Sequence, residues 1–207
     1  MTFRLRAARP ADLEALYEMA KLTGGGFTNL PPDRAALKGK LERAETAFAR
    51  DEDTLARMMT QEMGKPITES RGEVKYAAAF VEWYAEEAKR AYGRVLVRPT
   101  GQRAMVLNQP VGPVAVFTPW NFPVYMLAKK LAPALAAGCS VIAKPAEECP
   151  ASSSALMRCL LDAGVPANAA QLVFGVPDMI SRTLIASPII RKISFTGSAA
   201  VGKQLMR

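Results

Sequence analysis

Apolar positions recur at helical spacing in the first half of the chain and in short, strand-like runs in the second half. One helical pattern runs from about residue 32 to Gly64, as one long or bent helix, and a second runs from Thr68 to Tyr92. The runs Val95 to Arg98 and Arg103 to Asn108 then predict a β-hairpin. Ahead of all these, residues 3–20 predict a small strand–helix unit.

Beyond the hairpin, apolar strands alternate with helices. The predicted strands are Val114 to Thr118, Ser140 to Lys144, Gln171 to Phe174 and Lys192 to Phe195, with helices at about 124–137, 151–163 and 177–186. Continuous apolar strands separated by helices of this length are typical of a parallel sheet with right-handed crossovers. The pattern therefore predicts an α/β fold with a doubly wound parallel sheet.

Composition and charge narrow the function classes. Half of the 207 residues are apolar, which predicts a folded core. The net charge is +8, but the lysines and arginines are interleaved with acids, which favours a solvated surface or an anionic ligand over nucleic acid. No apolar run reaches the roughly 18 to 20 residues of a membrane helix, and the N-terminus lacks a secretory signal. We therefore expect a cytoplasmic protein with no membrane partner.

Histidine and cysteine usage excludes further kinds of site. The sequence contains no histidine, which excludes a histidine-based triad or metal site. The three cysteines, Cys139, Cys149 and Cys159, lack metal-ligand spacing, and their odd number argues against a disulfide framework. Acids beside Cys149 are expected to raise its pKa, and we do not expect any of the three to be a nucleophile. No metal is expected.

Ligands of parallel α/β sheets bind outside the carboxyl ends of the strands. Four turns follow the predicted strands there: Pro119-Trp120-Asn121, Lys144-Pro145-Ala146-Glu147, Gly175-Val176-Pro177 and Thr196-Gly197-Ser198. Each turn alone has a purely structural explanation, as a packed aromatic, a surface ion pair or a helix cap. Because parallel strands bring the turns to one edge, we expect them to be neighbours in a ligand site.

The residue types at these turns suit a nicotinamide dinucleotide. Backbone N–H groups and a hydroxyl at Gly197-Ser198 can hold a phosphate at a helix N-terminus, although the turn is not a GxGxxG fingerprint. Lys144 and Glu147 can reach ribose hydroxyls, and a carboxylate there repels a 2′-phosphate, which favours NAD over NADP. The Asn121 amide can stabilise a developing oxyanion, or it can simply satisfy a backbone carbonyl.

Three longer motifs resemble the nicotinamide-binding domain of the aldehyde dehydrogenases: TPWNFP at 118–123, ALAAGCSVIAKPAEECP at 134–150 and KISFTGSAAVGKQLM at 192–206. The segments MMTQEMGKPITES and GEVKYAAAFVEWYAEEAKRAYG extend the resemblance back to about residue 51, and they are most similar to the succinate-semialdehyde dehydrogenase branch. The resemblance implies a truncated doubly wound, Rossmann-like parallel sheet, preceded by the strand–helix unit and long helices. It also implies NAD(P)-dependent oxidation of an aldehyde, such as succinate semialdehyde, to the acid.

The same resemblance implies roles for individual residues. Asn121 resembles the oxyanion-hole asparagine of the family. Trp120 and Ser198 resemble residues that contact the cofactor phosphates, while Lys144 and Glu147 resemble those that contact the adenosine ribose. In full, the implied cofactor-binding residues are Thr118, Pro119, Trp120, Lys144, Pro145, Ala146, Glu147, Gly175, Gly197 and Ser198.

The family's general-base glutamate, in an ELGG motif, and its cysteine nucleophile lie beyond the FTGS turn, and this sequence ends at Arg207 before either. We therefore expect the isolated chain to be inactive, with an aldehyde bound only where further chain completes the site. An alternative is a non-catalytic module that joins full-length dehydrogenase subunits in a homo- or hetero-oligomer. That alternative rests on the hairpin, whose strand edge is expected to be unpaired.

The first residues carry a different resemblance. Residues 3–49 resemble the start of arginine N-succinyltransferase, an enzyme with an acetyltransferase-like fold. This implies an acyltransferase-like fragment at 1–49 and an incomplete aldehyde dehydrogenase NAD-binding domain at 50–207, with the junction within 34–51. A fusion of two truncated reading frames would explain both parts. A remnant of the acyltransferase is the last alternative function.

Overall fold

A computed structural model describes residues 43, 46–99 and 102–206 of the chain. The strand–helix unit predicted at 3–20 and the start of the helix predicted from residue 32 lie outside the described residues. Residues 100–101 of the predicted hairpin turn lie outside them too. The same holds for most of the fragment predicted at 1–49.

A pair of helices precedes the sheet. Helix α1 spans Glu52–Met63 and helix α2 spans Ile67–Ala88. Residues 46–50 are also helical, but Asp51 departs from helical geometry, with φ −101° and ψ 11°, so the described part of the first predicted helix is bent. Gly64 ends α1 at φ 75°, a left-handed conformation that glycine adopts without a Cβ clash.

Helix α2 ends before the predicted Tyr92. The N–H groups of Lys89 and Arg90 donate to the carbonyls of Glu86 and Glu87, at 3.2 and 2.9 Å. These i→i−3 bonds tighten the last turn and satisfy carbonyls that would otherwise lack a partner. The chain then leaves the helix and enters the hairpin.

The predicted hairpin is confirmed as a two-stranded sheet separate from the main one. Strands β1 (Arg94–Val97) and β2 (Arg103–Val106) pair antiparallel, with Val95 opposite Met105. Val97 is fully exposed, and Val95 and Met105 are mostly exposed. The hairpin therefore presents an apolar surface to solvent.

Four parallel strands form the main sheet. In chain order, its elements are β3 (Val114–Phe117), α3 (Pro123–Ala136), β4 (Val141–Lys144), α4 (Pro150–Asp162), β5 (Ala170–Leu172), α5 (Pro177–Ala186), β6 (Lys192–Phe195) and α6 (Ala199–Leu205). The spatial order is β5-β4-β3-β6, so the chain moves outward from β3 to β5 and then crosses back to the far side of β3. This confirms the predicted doubly wound α/β fold. It also places the topological switch point between β3 and β6.

Apolar side chains pack on both faces of the sheet. Val114 and Val116 of β3 join a core with α3 and α4, which α1 and α2 extend. Ala115 and Phe117, which alternate with them, join the opposite core with residues of α5. Burial on both faces is why β3 reads as a continuous apolar run.

In the described ranges, no helix is both long and apolar enough to cross a bilayer.

Candidate functional site

The four predicted turns lie on one edge of the sheet, since each follows one of the four parallel strands. Across this edge, Thr118 N–H donates to the Lys144 carbonyl at 3.3 Å, and Thr196 N–H donates to the Phe117 carbonyl at 3.0 Å. The turn after β3 therefore directly adjoins the turns after β4 and β6. The turn at Gly175 is more remote, because β4 lies between β5 and β3.

The turns after β3 and β6 adjoin each other at the switch point, the position where the crevice of a doubly wound sheet binds its ligands. Trp120 is 52% exposed, and Asn121, Gly197 and Ser198 are also exposed. Thr118 is buried, and its hydroxyl has no hydrogen-bond partner among the residues that the structure describes. A buried hydroxyl without a partner carries a free-energy cost. A ligand with a polar group within hydrogen-bond distance of this hydroxyl would remove that cost.

Lys144 and Glu147 form an ion pair at the end of β4. Lys144 Nζ donates to Glu147 Oε2. The Lys144 side chain is 7% exposed and the Glu147 side chain 45% exposed, so this is not a pair between two solvated residues. Pro145 and Ala146, both buried, complete the turn. The result is a carboxylate that is tied to the strand end and accessible from solvent.

Two glycines and a serine shape the outer turns. A Cβ on Gly197 would stand 2.5 Å from the Phe195 ring, so glycine lets the turn after β6 close over that ring. Gly175 has φ 149°, a conformation that L side chains rarely adopt. Ser198 caps α6, with its Oγ accepting the Val201 N–H at 3.3 Å.

A buried ion pair lies beneath the turn after β3. Lys65 Nζ donates to Glu73 Oε2 at 2.5 Å, with the two side chains 7% and 1% exposed. The same ammonium donates to the backbone carbonyl of Asn121 at 2.8 Å. It also lies 3.9 Å from the centroid of the Phe122 ring, within cation–π distance. The connection between α1 and α2 is thus bonded to the turn that presents Asn121.

The second oxygen of Glu73 caps helix α3. Glu73 Oε1 accepts the N–H groups of Val124 and Tyr125, both at 3.0 Å. Neither Lys65 nor Glu73 is among the residues predicted from the sequence. The available signal is that Glu73 lies on the buried stripe of α2 together with Ala77, where an acid requires a partner.

Glu62 performs the equivalent task for helix α4. Its Oε1 accepts the Ala151 N–H at 2.6 Å, and its Oε2 accepts the Ser152 N–H at 2.9 Å and the Ser152 hydroxyl at 2.6 Å. A carboxylate at a helix N-terminus satisfies free N–H groups and interacts favourably with the helix dipole. The helical pair therefore supplies the N-terminal cap of each of the two helices that pack on it.

All three cysteines are buried and unbridged. The Cys149 thiol donates to the Trp120 carbonyl at 3.6 Å, so Cys149 also bonds to the turn after β3. Burial, followed by the charges of Glu62 and Glu148, raises the pKa of Cys149 to about 11. The predicted direction is confirmed, although burial rather than the neighbouring acids is the main cause. Within the described part of the chain, no cluster of three potential metal ligands occurs.

An aromatic cluster extends from the same turn along α2 and α3. Tyr76 stacks on Tyr125 with ring centroids 4.6 Å apart, and Phe80 and Phe122 lie 5.3 and 6.1 Å from the Tyr125 ring. Lys129 Nζ donates to the Tyr125 hydroxyl at 3.1 Å, and this bond raises the pKa of Lys129. The helical spacing of these rings is visible in the sequence, but their contact across two helices is not.

Sequence comparison adds independent information. The model of the aldehyde dehydrogenase family matches residues 2–207. The chain is 43% identical over 203 residues to 4-(hydroxymethyl)benzenesulfonate dehydrogenase TsaD1 of Comamonas testosteroni, covering 97% of this chain and 42% of that protein. It is 47% identical over 156 residues to the succinate-semialdehyde dehydrogenase [NADP(+)] GabD of Escherichia coli K12, covering 75% and 32%.

Structural comparison agrees. A crystal structure of an aldehyde dehydrogenase from Brucella melitensis biovar abortus 2308 superimposes with a TM-score of 0.89 at 42% identity, covering 94% of this chain and 41% of that one. The chain thus spans about two fifths of the length of such relatives. The family match includes residues 2–49, which the sequence analysis compared with the start of an acyltransferase. The division of the chain at residue 49 stays a prediction.

The thiols should be unreactive in the folded protein. At about pH 8 we expect slow reaction with a chromogenic aromatic disulfide, because the cysteines are buried and pKa values of about 11 keep Cys149 and Cys159 protonated. A raised pKa means that thiolate appears only as the pH rises toward that value, so the rate should still be increasing above pH 9. Unfolding in urea is the control and should release all three thiols. Rapid titration of one thiol in the native protein at pH 8 would contradict the expectation.

Proposed function

The chain belongs to the aldehyde dehydrogenase family, and on that premise we propose that its sheet edge is the NAD(P)-binding half of an active site that oxidises an aldehyde to the acid. The observation that carries the proposal is the pair of neighbouring turns at the switch point between β3 and β6. Trp120, Asn121 and Ser198 are exposed there, close in sequence or space to the buried Thr118, whose hydroxyl has no partner in the described part of the chain. Open α/β sheets bind their ligands at this kind of position.

The turn after β6 suits the cofactor phosphates. Helix α6 is capped by the neutral hydroxyl of Ser198 and has no acid in its first turn, so the N–H groups that the cap leaves free favour an anion. Helices α3 and α4 differ, because Glu73 and Glu62 already occupy their N-termini. We assign Ser198 and Gly197, together with Trp120, to the pyrophosphate.

The turn after β4 suits the adenosine ribose. Glu147 presents an accessible carboxylate that Lys144 holds in place. A carboxylate accepts hydrogen bonds from ribose hydroxyls and repels a 2′-phosphate, which supports NAD as the preferred cofactor. One named relative uses NADP(+), and its preference is a property of that protein.

The substrate side of the site is proposed from Asn121. Asn121 is exposed in the turn after β3, where its side-chain amide can donate to the oxygen of a reacting aldehyde. The bound nicotinamide would supply the hydride acceptor. We propose an aldehyde such as succinate semialdehyde as substrate. Because the three cysteines are buried, we do not assign any of them as nucleophile, and this segment alone is proposed to bind cofactor without turnover.

A second candidate function is a non-catalytic module that joins full-length dehydrogenase subunits. The supporting observation is the hairpin, with Val95, Val97, Met105 and Leu107 mostly or fully exposed. An apolar, unpaired strand edge favours pairing with another chain.

Cofactor binding can be followed through the fluorescence of Trp120. Trp83 and Trp120 are the two tryptophans, so a Trp83→Phe variant leaves Trp120 as the reporter at the crevice. Titration with NAD should change its fluorescence with a dissociation constant below about 1 mM, a low threshold for a specific complex. Thr118→Val, which removes the unpartnered hydroxyl and keeps the volume, should weaken binding. The absence of any change up to millimolar NAD would exclude the proposed site.

Glu147 is proposed to determine the choice between NAD and NADP. Glu147→Gln removes the negative charge near the ribose, so the ratio of NADP to NAD affinity should rise by about tenfold, equivalent to roughly 1.4 kcal/mol. Glu148→Gln is the matched control, because Glu148 is the adjacent exposed acid outside the ion pair. Equal ratios in both variants would remove Glu147 as the determinant.

The oligomeric state of the chain tests whether it is a module that joins dehydrogenase subunits. If the hairpin joins subunits, the chain should sediment as an oligomer or co-purify with a full-length dehydrogenase subunit, and Val97→Lys should abolish this by placing a charge on the apolar surface. Lys75→Ala, an exposed change on α2, is the control. A clean monomer that binds no full-length subunit would count against the second candidate function.

A further inference from the structure

We propose that the buried Lys65–Glu73 ion pair is a positioning device that fixes the turn from Trp120 to Tyr125 and, through it, the side-chain amide of Asn121. The inference deepens the proposed function and rests on it, because Asn121 is taken there as the group that faces the aldehyde oxygen. Lys65 and Glu73 touch neither cofactor nor substrate in this proposal. They act through the backbone of the turn.

Hydrogen bonds hold the backbone of this turn near both of its ends. Lys65 donates to the carbonyl of Asn121, and Glu73 accepts from the N–H groups of Val124 and Tyr125. The pair thus holds the residue that carries the amide and the start of the helix that follows it. The Cys149 thiol adds a longer bond to the preceding carbonyl, that of Trp120.

The Lys65 ammonium interacts with three partners. It donates to Glu73 Oε2 at 2.5 Å and to the Asn121 carbonyl at 2.8 Å, and it faces the Phe122 ring at 3.9 Å. A buried charge is stable only when its hydrogen bonds are satisfied in this way. Withdrawal of the turn would leave the ammonium without two of the three partners. The turn and the ion pair therefore stabilise each other.

An apolar pair of similar volume would often stabilise a fold as well as a buried ion pair does. Such a pair would leave Asn121 without a donor for its carbonyl and α3 without its cap. What the charges provide in addition is a defined geometry for Asn121. We therefore regard the pair as positioning Asn121 and not only as stabilising the fold.

Glu62 is a matched comparison for Glu73 within the same chain. It is also a carboxylate from the helical pair that caps a helix following a strand, through Ala151 and Ser152. It makes no hydrogen bond to the turn from Trp120 to Tyr125 in the described structure. Loss of Glu62 should therefore affect stability without moving Asn121.

The experiment uses the 207-residue chain with Trp83→Phe, without cofactor. Two signals report on the turn: quenching of Trp120 fluorescence by acrylamide, and the side-chain amide resonances of Asn121, assigned by their loss in Asn121→Asp. In Lys65→Met the quenching constant should rise about twofold as the turn opens locally, and the Asn121 resonances should shift or broaden. Glu62→Gln should lower the melting temperature but leave both signals as in the parent.

A double variant separates folding from positioning. Lys65→Met alone leaves the Glu73 carboxylate buried without its counter-ion, which risks unfolding. Lys65→Met with Glu73→Gln removes both charges, and glutamine retains an oxygen for the N–H groups of Val124 and Tyr125. We expect the double variant to regain most of the melting temperature lost in the single variant. Its Trp120 and Asn121 signals should nevertheless stay altered, because the donor to the Asn121 carbonyl is absent.

Two outcomes would overturn the proposal. One is a folded double variant whose Trp120 and Asn121 signals match the parent. The other is a Glu62→Gln variant that alters both signals as much as Lys65→Met does. Since neither signal requires cofactor, a failure of NAD to bind the parent chain would count against the proposed function alone.

Discussion

The first N–H groups of a buried helix must find acceptors, and this requirement is met twice by carboxylates from one helical pair. Glu73 on α2 caps α3, and Glu62 on α1 caps α4. Both caps join chain segments that are more than fifty residues apart in sequence, so they dock the helical pair onto the sheet at two points. Lys65, in the connection between α1 and α2, then neutralises Glu73 and bonds to the turn after β3. The position of that turn depends on this docking.

These caps also determine where an anion can bind. Parallel strands followed by helices present several helix N-termini at one edge of a sheet, and each attracts negative charge. Glu73 and Glu62 occupy those of α3 and α4, whereas α6 is capped by the neutral hydroxyl of Ser198 and has no acid in its first turn. Because β6 lies beside β3, this N-terminus without an acid lies at the switch point. Topology and capping thus favour the same place for the cofactor phosphates.

Local signals explain how much could be predicted from the sequence. Strand β6 and helix α5 have the predicted bounds, and the proline at the start of each of α3, α4 and α5 marks a helix start because its fixed φ suits the first turn. The alternation of strands and helices indicated that four turns share an edge. It did not give the order β5-β4-β3-β6, which makes the turns at 118–121 and 196–198 neighbours and leaves Gly175 remote. The Lys65–Glu73 pair and its contacts were not predictable either, since they join residues with no local pattern in common.

Three groups of different kinds hold the turn after β3, and none of them is suited to react with a substrate. The Lys65 ammonium is buried and donates two hydrogen bonds, the Glu73 carboxylate is buried and bonded at both oxygens, and the Cys149 thiol is buried with a pKa raised to about 11. A reactive group needs access to its substrate and, for a cysteine, an available thiolate. The exposed residues of the same edge, Trp120, Asn121 and Glu147, meet the first condition. The sheet edge therefore separates buried groups that hold the backbone from exposed groups that can meet a ligand, and Asn121 belongs to both sets, with its carbonyl held and its amide exposed.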